Sequence, residues 1–178
     1  MRRVVVTGGP GAGKTTLLRE LAGLGYPTVS DSAREVIAER LAIGLPPRPE
    51  PAAFAREILR RDERKYQTSA ASCGFVFFDR SPLEAIAMVH DAAPMKNAEL
   101  RAKVEGFEFH RTVLVLPPWR EIYRTDTERD HSFEHAERVH EELLRWYRWC
   151  GYAIYEVPRL GVEERARHVA LAFATRYA

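Results

Sequence analysis

The residues with the clearest chemistry lie near the start of the chain. Val4-Val5-Val6 leads into Thr7-Gly8-Gly9-Pro10-Gly11-Ala12-Gly13-Lys14-Thr15-Thr16, and Leu17-Leu18-Arg19-Glu20-Leu21 follows. A β-branched run, a G-x-x-x-x-G-K-T segment and a helix-forming run, in that order, make a phosphate-binding loop. A plain glycine-rich turn does not account for Lys14-Thr15. The glycines let the backbone curl until its N–H groups point inward at phosphate oxygens. Lys14 can reach the β- and γ-phosphates, the Thr15 hydroxyl can ligate Mg²⁺, and the helix start adds its positive dipole end. The implied ligand is a nucleoside triphosphate held by Gly8, Gly9, Pro10, Gly11, Ala12, Gly13, Lys14, Thr15 and Thr16. No N-K-x-D or T-K-x-D guanine-reading motif occurs, which favours ATP over GTP.

A second acidic element follows the apolar run Phe75-Val76-Phe77-Phe78. Asp79 at the end of a core strand can hold Mg²⁺ with Thr15; the plainer reading is a cap on the next helix. The next residue is Arg80, where a dedicated hydrolase carries a water-orienting Glu. Arg80 can brace a phosphate, pair with a carboxylate near an acceptor, or form a surface ion pair. Asp31 ends a short strand and is either a general base for an acceptor hydroxyl or a helix cap. Glu35 reads as a partner for Arg34. Arg120, Arg124 and Arg129 flank Asp126 in a polar segment that can close over phosphates and offset transition-state charge; Arg124 and Arg129 are the catalytic candidates there. His131 and His135 are spaced i, i+4 without an evident third ligand, so a zinc site is not expected. Phe54 and Tyr66 are candidates to line an acceptor pocket, and Trp146, Tyr147 and Trp149 to pack a core or a pocket.

These residues need a scaffold, and the chain alternates strand and helix signals throughout. Apolar runs at 3–7, 27–30, 75–79, 112–116 and 152–157 read as strands, with helices expected over 14–24, 32–41, 52–72, from Ser81-Pro82 to about 91, 97–105, 134–150 and 162–177. Residues 44–51 are proline-rich and read as loop, and 119–123 as a helical turn. This is the pattern of an α/β three-layer sandwich with a five-stranded parallel sheet. In such a fold ligands sit beyond the carboxyl ends of the strands, where the loop, Asp31, Asp79 and residues 117–124 all fall. The 178 residues, 46% hydrophobic, are expected to form a single domain, 1–178, with a lid at about 120–134. A net charge of +2 with both signs interspersed argues against a dedicated nucleic-acid binder. No apolar run is long enough to span a bilayer, and with a strand at the very start no secretory signal is expected. Cys73 and Cys150 lack ligand spacing and are expected as free thiols in a reducing compartment, so the expected location is the cytoplasm.

With these pieces placed, the chain resembles a family of small AAA-domain ATPases within the nucleoside- and nucleotide-kinase-like P-loop group. It resembles bacterial ribosylnicotinamide kinases and deoxynucleoside kinases more distantly. The likeness covers nearly the whole chain through Gly8 to Thr16, Asp31-Ser32-Ala33-Arg34-Glu35-Val36-Ile37, Phe78-Asp79-Arg80-Ser81, Leu116-Pro117-Pro118-Trp119 with Ile122, Tyr123, Asp126 and Arg129, and Gly151-Tyr152 through Val157-Pro158. Relatives usually carry Glu at position 31 and often Gly at position 81. The resemblance implies a P-loop NTPase fold, ATP and Mg²⁺ as ligands, and a carboxylate base at Asp31. The expected activity is a small-molecule kinase with an unidentified, nucleoside-like or other small acceptor. The alternative is an ATPase that switches a partner protein; a homodimer or protein partner is compatible with either.

Overall fold

The computed structural model describes residues 2–69, 74–123 and 132–176. Its frame is a set of strands whose residues are apolar on both faces. β1 (Arg2–Gly8), β3 (Phe75–Asp79) and β4 (Thr112–Leu116) are buried almost throughout, whereas β2 (Thr28–Val29) and β5 (Ala153–Glu156) are short edge strands. They run parallel in the order β2-β3-β1-β4-β5. Register pairs Val6 with Asp79 on one side of β1 and with Leu114 on the other.

Side chains alternate between the faces of a strand, so each central strand feeds two cores. Val4, Val6, Phe77, Leu114 and Leu116 meet α1 (Lys14–Gly23) and α7 (Val162–Arg176) through Leu17, Leu21, Val169 and Phe173. Val5, Val76, Phe78, Val113 and Val115 meet α4 (Pro82–Ala92), α5 (Asn97–Glu105) and α6 (Phe133–Trp149) through Leu83, Ile86, Leu100, Leu144 and Tyr147. A smaller cluster of Val36, Ile37, Phe54, Ile58 and Ala85 joins α2 (Ser32–Ala42) and α3 (Pro51–Thr68) to α4. The three-layer α/β sandwich expected from the alternation is the observed fold.

Local departures from the expected elements have physical reasons. Helix α3 begins at Pro51, one residue inside the stretch read as loop. Proline is accepted at a first helical position, and the Glu50 carboxylate caps the N–H groups of Ala52 and Ala53 at 3.0 Å each. That helix ends at Thr68 rather than 72. Ser81 sits at the cap position of α4, but its hydroxyl does not cap the helix; it pairs with the Tyr147 hydroxyl at 2.9 Å. Residues 119–123 do form a turn, with the Tyr123 N–H donating to the Trp119 carbonyl at 3.1 Å. No described helix is long and apolar enough to cross a membrane. Cys150 is a half-buried free thiol that burial pushes up to about 12; Cys73 lies outside the described residues.

Candidate functional site

At the carboxyl end of β1 the chain turns out of the sheet and enters α1 through residues 8–13. Gly8 has φ +143°, and a Cβ there would sit 2.5 Å from the Leu116 carbonyl oxygen of β4. Only glycine lets the loop leave the sheet at this point. Gly13 closes the loop as the left-handed N-cap of α1 (φ +86°), 3.2 Å from the Arg165 guanidinium measured from where its Cβ would stand. Lys14 is buried, and its Nζ donates to the Gly8 and Gly9 carbonyls at 2.9 and 3.0 Å. Burial, reinforced by Arg80, lowers the Lys14 ammonium to about 8, against the opposing pull of Asp79, Asp31 and Glu84.

Asp79 leaves β3 next to the loop, and the Thr15 hydroxyl donates to its Oδ2 at 3.4 Å. Its other oxygen, Oδ1, is buried without a hydrogen-bond partner among the described residues. Burial raises the pKa of this carboxyl above the ordinary range; Lys14 opposes the shift and Asp31 adds to it. An orphaned carboxylate oxygen beside a hydroxyl is a donor set that a hard divalent cation fits.

Arg80 follows with φ +70°, the one positive φ outside glycine among the described residues. Such a conformation costs about 1–3 kcal/mol and persists where the surroundings over-determine it. Here the Arg80 N–H continues the ladder to the Val6 carbonyl at 3.0 Å, its Nε donates to Asp31 Oδ2 at 3.3 Å, and its Nη1 donates to Glu84. Burial alone would lower the guanidinium pKa, but Glu84, Asp31 and Asp79 outweigh it and raise it. Asp31 both caps and faces the site: Oδ1 accepts from the Ala33 N–H at 2.8 Å, while Oδ2 is turned to Arg80, with Arg34 at 4.0 Å.

Lys14, Asp31, Arg34, Arg48, Arg80 and Glu84 line one cavity of about 250 Å³, with Phe54, Ile58 and Met88 as its apolar wall. A separate cavity of about 360 Å³ lies on the far side of the loop, between Gly11 to Thr16, Trp119 and the 160–162 turn. Arg165 of α7 lines it, reaching the Ala12 carbonyl at 3.5 Å and lying 5.5 Å from the Trp119 ring centre.

The structure therefore brings Lys14, Thr15, Asp31, Asp79 and Arg80 together at one edge. Arg124, Asp126, Arg129 and His131, with most of the expected lid, lie outside the described residues. Arg120 is exposed, bonded to Glu134 at 3.4 Å and lying over the Phe133 ring. Two expectations are corrected. Glu35 pairs with Ser30 and Lys65 rather than Arg34, because Lys65 of α3 crosses α2 at that turn. Tyr66, one turn beyond Asp62 on α3, does not line the cavity; it meets Phe107 edge to face and Phe109 at a tilt, and carries the Arg3 guanidinium over its ring.

Sequence reasoning missed Glu84, Asp62 and Arg165. Glu84 is buried under Arg80 and accepts from the Tyr147 hydroxyl at 2.8 Å. Asp62, buried on α3, accepts from the Ser32 hydroxyl and lines the same cavity; burial lifts its carboxyl to about 7, against the Ser32 bond and with the aid of Asp31. The i, i+4 spacing of Arg80 and Glu84 was a usable signal. Asp62 and Arg165 are single charges in charged helices and carried none.

Residues 3–165 match the AAA domain family. No curated protein matches the sequence. Among solved structures, the chain is similar to deoxyadenosine kinase from M. mycoides with bound dATP, at TM-score 0.65 and 16% identity, over 98% of this chain and 100% of that one. It is also similar to NadR protein in complex with NR, at TM-score 0.73 and 23% identity, over 99% of this chain and 52% of that one, so it spans about half the NadR chain. Shikimate kinase from Acinetobacter baumannii in complex with shikimate aligns at TM-score 0.54 and 19% identity, over 99% of this chain and 95% of that one. Identities this low speak to the fold, and the family match spans nearly the whole chain: the protein belongs to the AAA domain family, on a P-loop fold of the nucleoside-kinase type.

Proposed function

We propose that this protein is a kinase that moves the γ-phosphoryl group of ATP to a hydroxyl of a small acceptor. The observation that carries the reading is that the loop lysine, Lys14, and the Asp31–Arg80–Glu84 cluster line a single cavity. A carboxylate there has an acceptor to serve, whereas a switch protein has no use for one.

Residues 8–16 hold the triphosphate through backbone N–H groups and Lys14. Thr15 and Asp79 hold Mg²⁺, which when bound offsets charge on the phosphates. The cavity flanked by Trp119 and Arg165 takes the base and sugar of the donor. In the reaction cavity, Asp31 Oδ2 accepts the proton of the acceptor hydroxyl as its oxygen attacks the γ-phosphorus and ADP departs with the bonding pair. Arg80 aims Asp31 through its Nε, since its own orientation is held from below by Glu84. Arg124 and Arg129 supply further positive charge from the segment after Tyr123. Arg80 stands where a hydrolase orients water, which favours transfer over hydrolysis.

The test is ATP turnover with Mg²⁺ against a panel of nucleosides, nucleotides and other hydroxylated metabolites, with products read by mass spectrometry. The reading expects acceptor-dependent ADP release and a product heavier by one phosphoryl group. It also expects Asp31→Asn to lower turnover by about 10²–10⁴-fold while ATP affinity stays within a few-fold. Absence of any phosphorylated product, or equal turnover by wild type and Asp31→Asn, defeats it.

A further inference from the structure

The outer flank of the loop carries a charge that no described carboxylate answers. Arg165, near the start of α7, is only 5% exposed, and its guanidinium lies beside Ala12 and Gly13. Its Nη1 reaches the Ala12 carbonyl at 3.5 Å, the outer limit of a hydrogen bond, and its Nε is buried without a partner among the described residues. The Trp119 ring, 5.5 Å away, covers it with a face rather than an acceptor.

The acids nearest in the chain are turned to other work. Glu163 pairs with Arg167 at 2.9 Å, and Glu164 accepts from the Gly161 N–H at 3.1 Å. Burial lowers the Arg165 pKa, and no described acid pulls it back up. Two helices, α1 from Lys14 and α7 from Val162, also begin here, and the positive end of a helix disfavours a cation. A buried guanidinium in such a place is costly until an anion joins it. The position says which anion. Lys14 turns its ammonium to the Gly8 and Gly9 carbonyls, inside the loop. Arg165 stands outside it, in the cavity of Trp119 and the 160–162 turn. A triphosphate laid along the loop meets Lys14 with its outer phosphates and Arg165 with the phosphate next to the sugar.

We propose that Arg165 binds the α-phosphate of the donor nucleotide, so that the last helix supplies a phosphate ligand the loop itself lacks. The proposal rests on the reading of this cavity as the donor site, but not on transfer to an acceptor. A guanidinium can give the phosphate two parallel N–H bonds, and the idle Nε is one of the donors available. ATP and ADP both carry this phosphate, so Arg165 serves the two alike.

The experiment is titration calorimetry of ATP and of ADP, each with Mg²⁺ and without acceptor, on wild type, Arg165→Gln and Arg165→Lys. Arg165→Gln is expected to weaken both nucleotides by the same factor, at least about tenfold, and Arg165→Lys, which keeps the charge, to lose less. Phosphorus NMR of bound ADP should show the α resonance displaced in Arg165→Gln and the β resonance unmoved. Without nucleotide, Arg165→Gln should melt no lower than wild type, because it removes an uncompensated buried charge. Unchanged affinities, a loss confined to ATP, a displaced β resonance, or an unmoved α resonance overturns the assignment. A lower melting temperature of Arg165→Gln without nucleotide also overturns it, since Arg165 would then be a structural cation. The donor reading itself fails if wild type binds neither nucleotide. The kinase reading fails separately, through absence of product from the acceptor panel, and an α-phosphate contact would stand without it.

Discussion

Lys14 is the residue on which both the loop and the cluster act. Buried at the junction, with Arg80 nearby, its ammonium is lowered to about 8. Phosphate binds the protonated form, so affinity for ATP should be level below about pH 8 and weaken above it, by up to about tenfold per pH unit. Fluorescent-nucleotide competition across pH 6.5–9.5 reads this directly. Lys14→Ala should abolish the dependence together with turnover, while its far-ultraviolet dichroism stays that of the wild type. Arg80 shows a different economy at the same scale. Its left-handed backbone is strained, yet a ladder bond and two carboxylates hold it.

At the scale of elements, the site depends on how helices cross behind it. Tyr147 of α6 reaches α4, where its hydroxyl meets Ser81 and Glu84 in the core. Tyr147→Phe leaves Ser81 unpartnered and Glu84 with Arg80 alone, at a cost of about 1–3 kcal/mol. Denaturant unfolding should show a lower midpoint with an unchanged slope. Asp62 ties α3 to the first turn of α2, and its raised carboxyl has a definite sign in stability. Between the unfolded value near 3.8 and the folded value of about 7, the folded chain binds more protons than the unfolded one. Stability is therefore highest at the acid end of that window and falls as pH rises through it, so Asp62→Asn should flatten the melting temperature between pH 4 and 7 relative to wild type.

The whole molecule is held together at the meeting of its first and fourth strands. The Gly8 Cα lies so close to the Leu116 carbonyl that an added methyl group would stand 2.5 Å from it, at a φ of +143° that side chains rarely adopt. Gly8→Ala should force β1 and β4 apart and cost at least about 1–3 kcal/mol, read as a fall in melting temperature together with loss of nucleotide binding. From the opposite end of the chain, α7 returns Arg165 to the same loop, so the last helix helps shape the first motif.

What was legible in the sequence was whatever is encoded locally. The loop from Gly8 to Thr16 carries the fixed spacing of a phosphate-binding loop, in which backbone amides face phosphate. The strands at 75–79 and 112–116 are apolar on both faces because helices cover both, and Asp79 and Asp31 were visible because strand ends in a parallel sheet share one edge. Tertiary packing decided the rest. Nothing local in Glu84 distinguishes it from a solvated helix charge until Arg80 and Tyr147 bury it. Tyr66 and Phe54 share a helix, and only the crossing of α3 with α4 sends Phe54 to the cavity and Tyr66 away from it. The sequence by itself marked the loop that we propose grips a triphosphate, because such a grip is a property of consecutive backbone groups. The pocket facing it is built from side chains that meet only after helices pack, so its size and its charge belong to the tertiary structure.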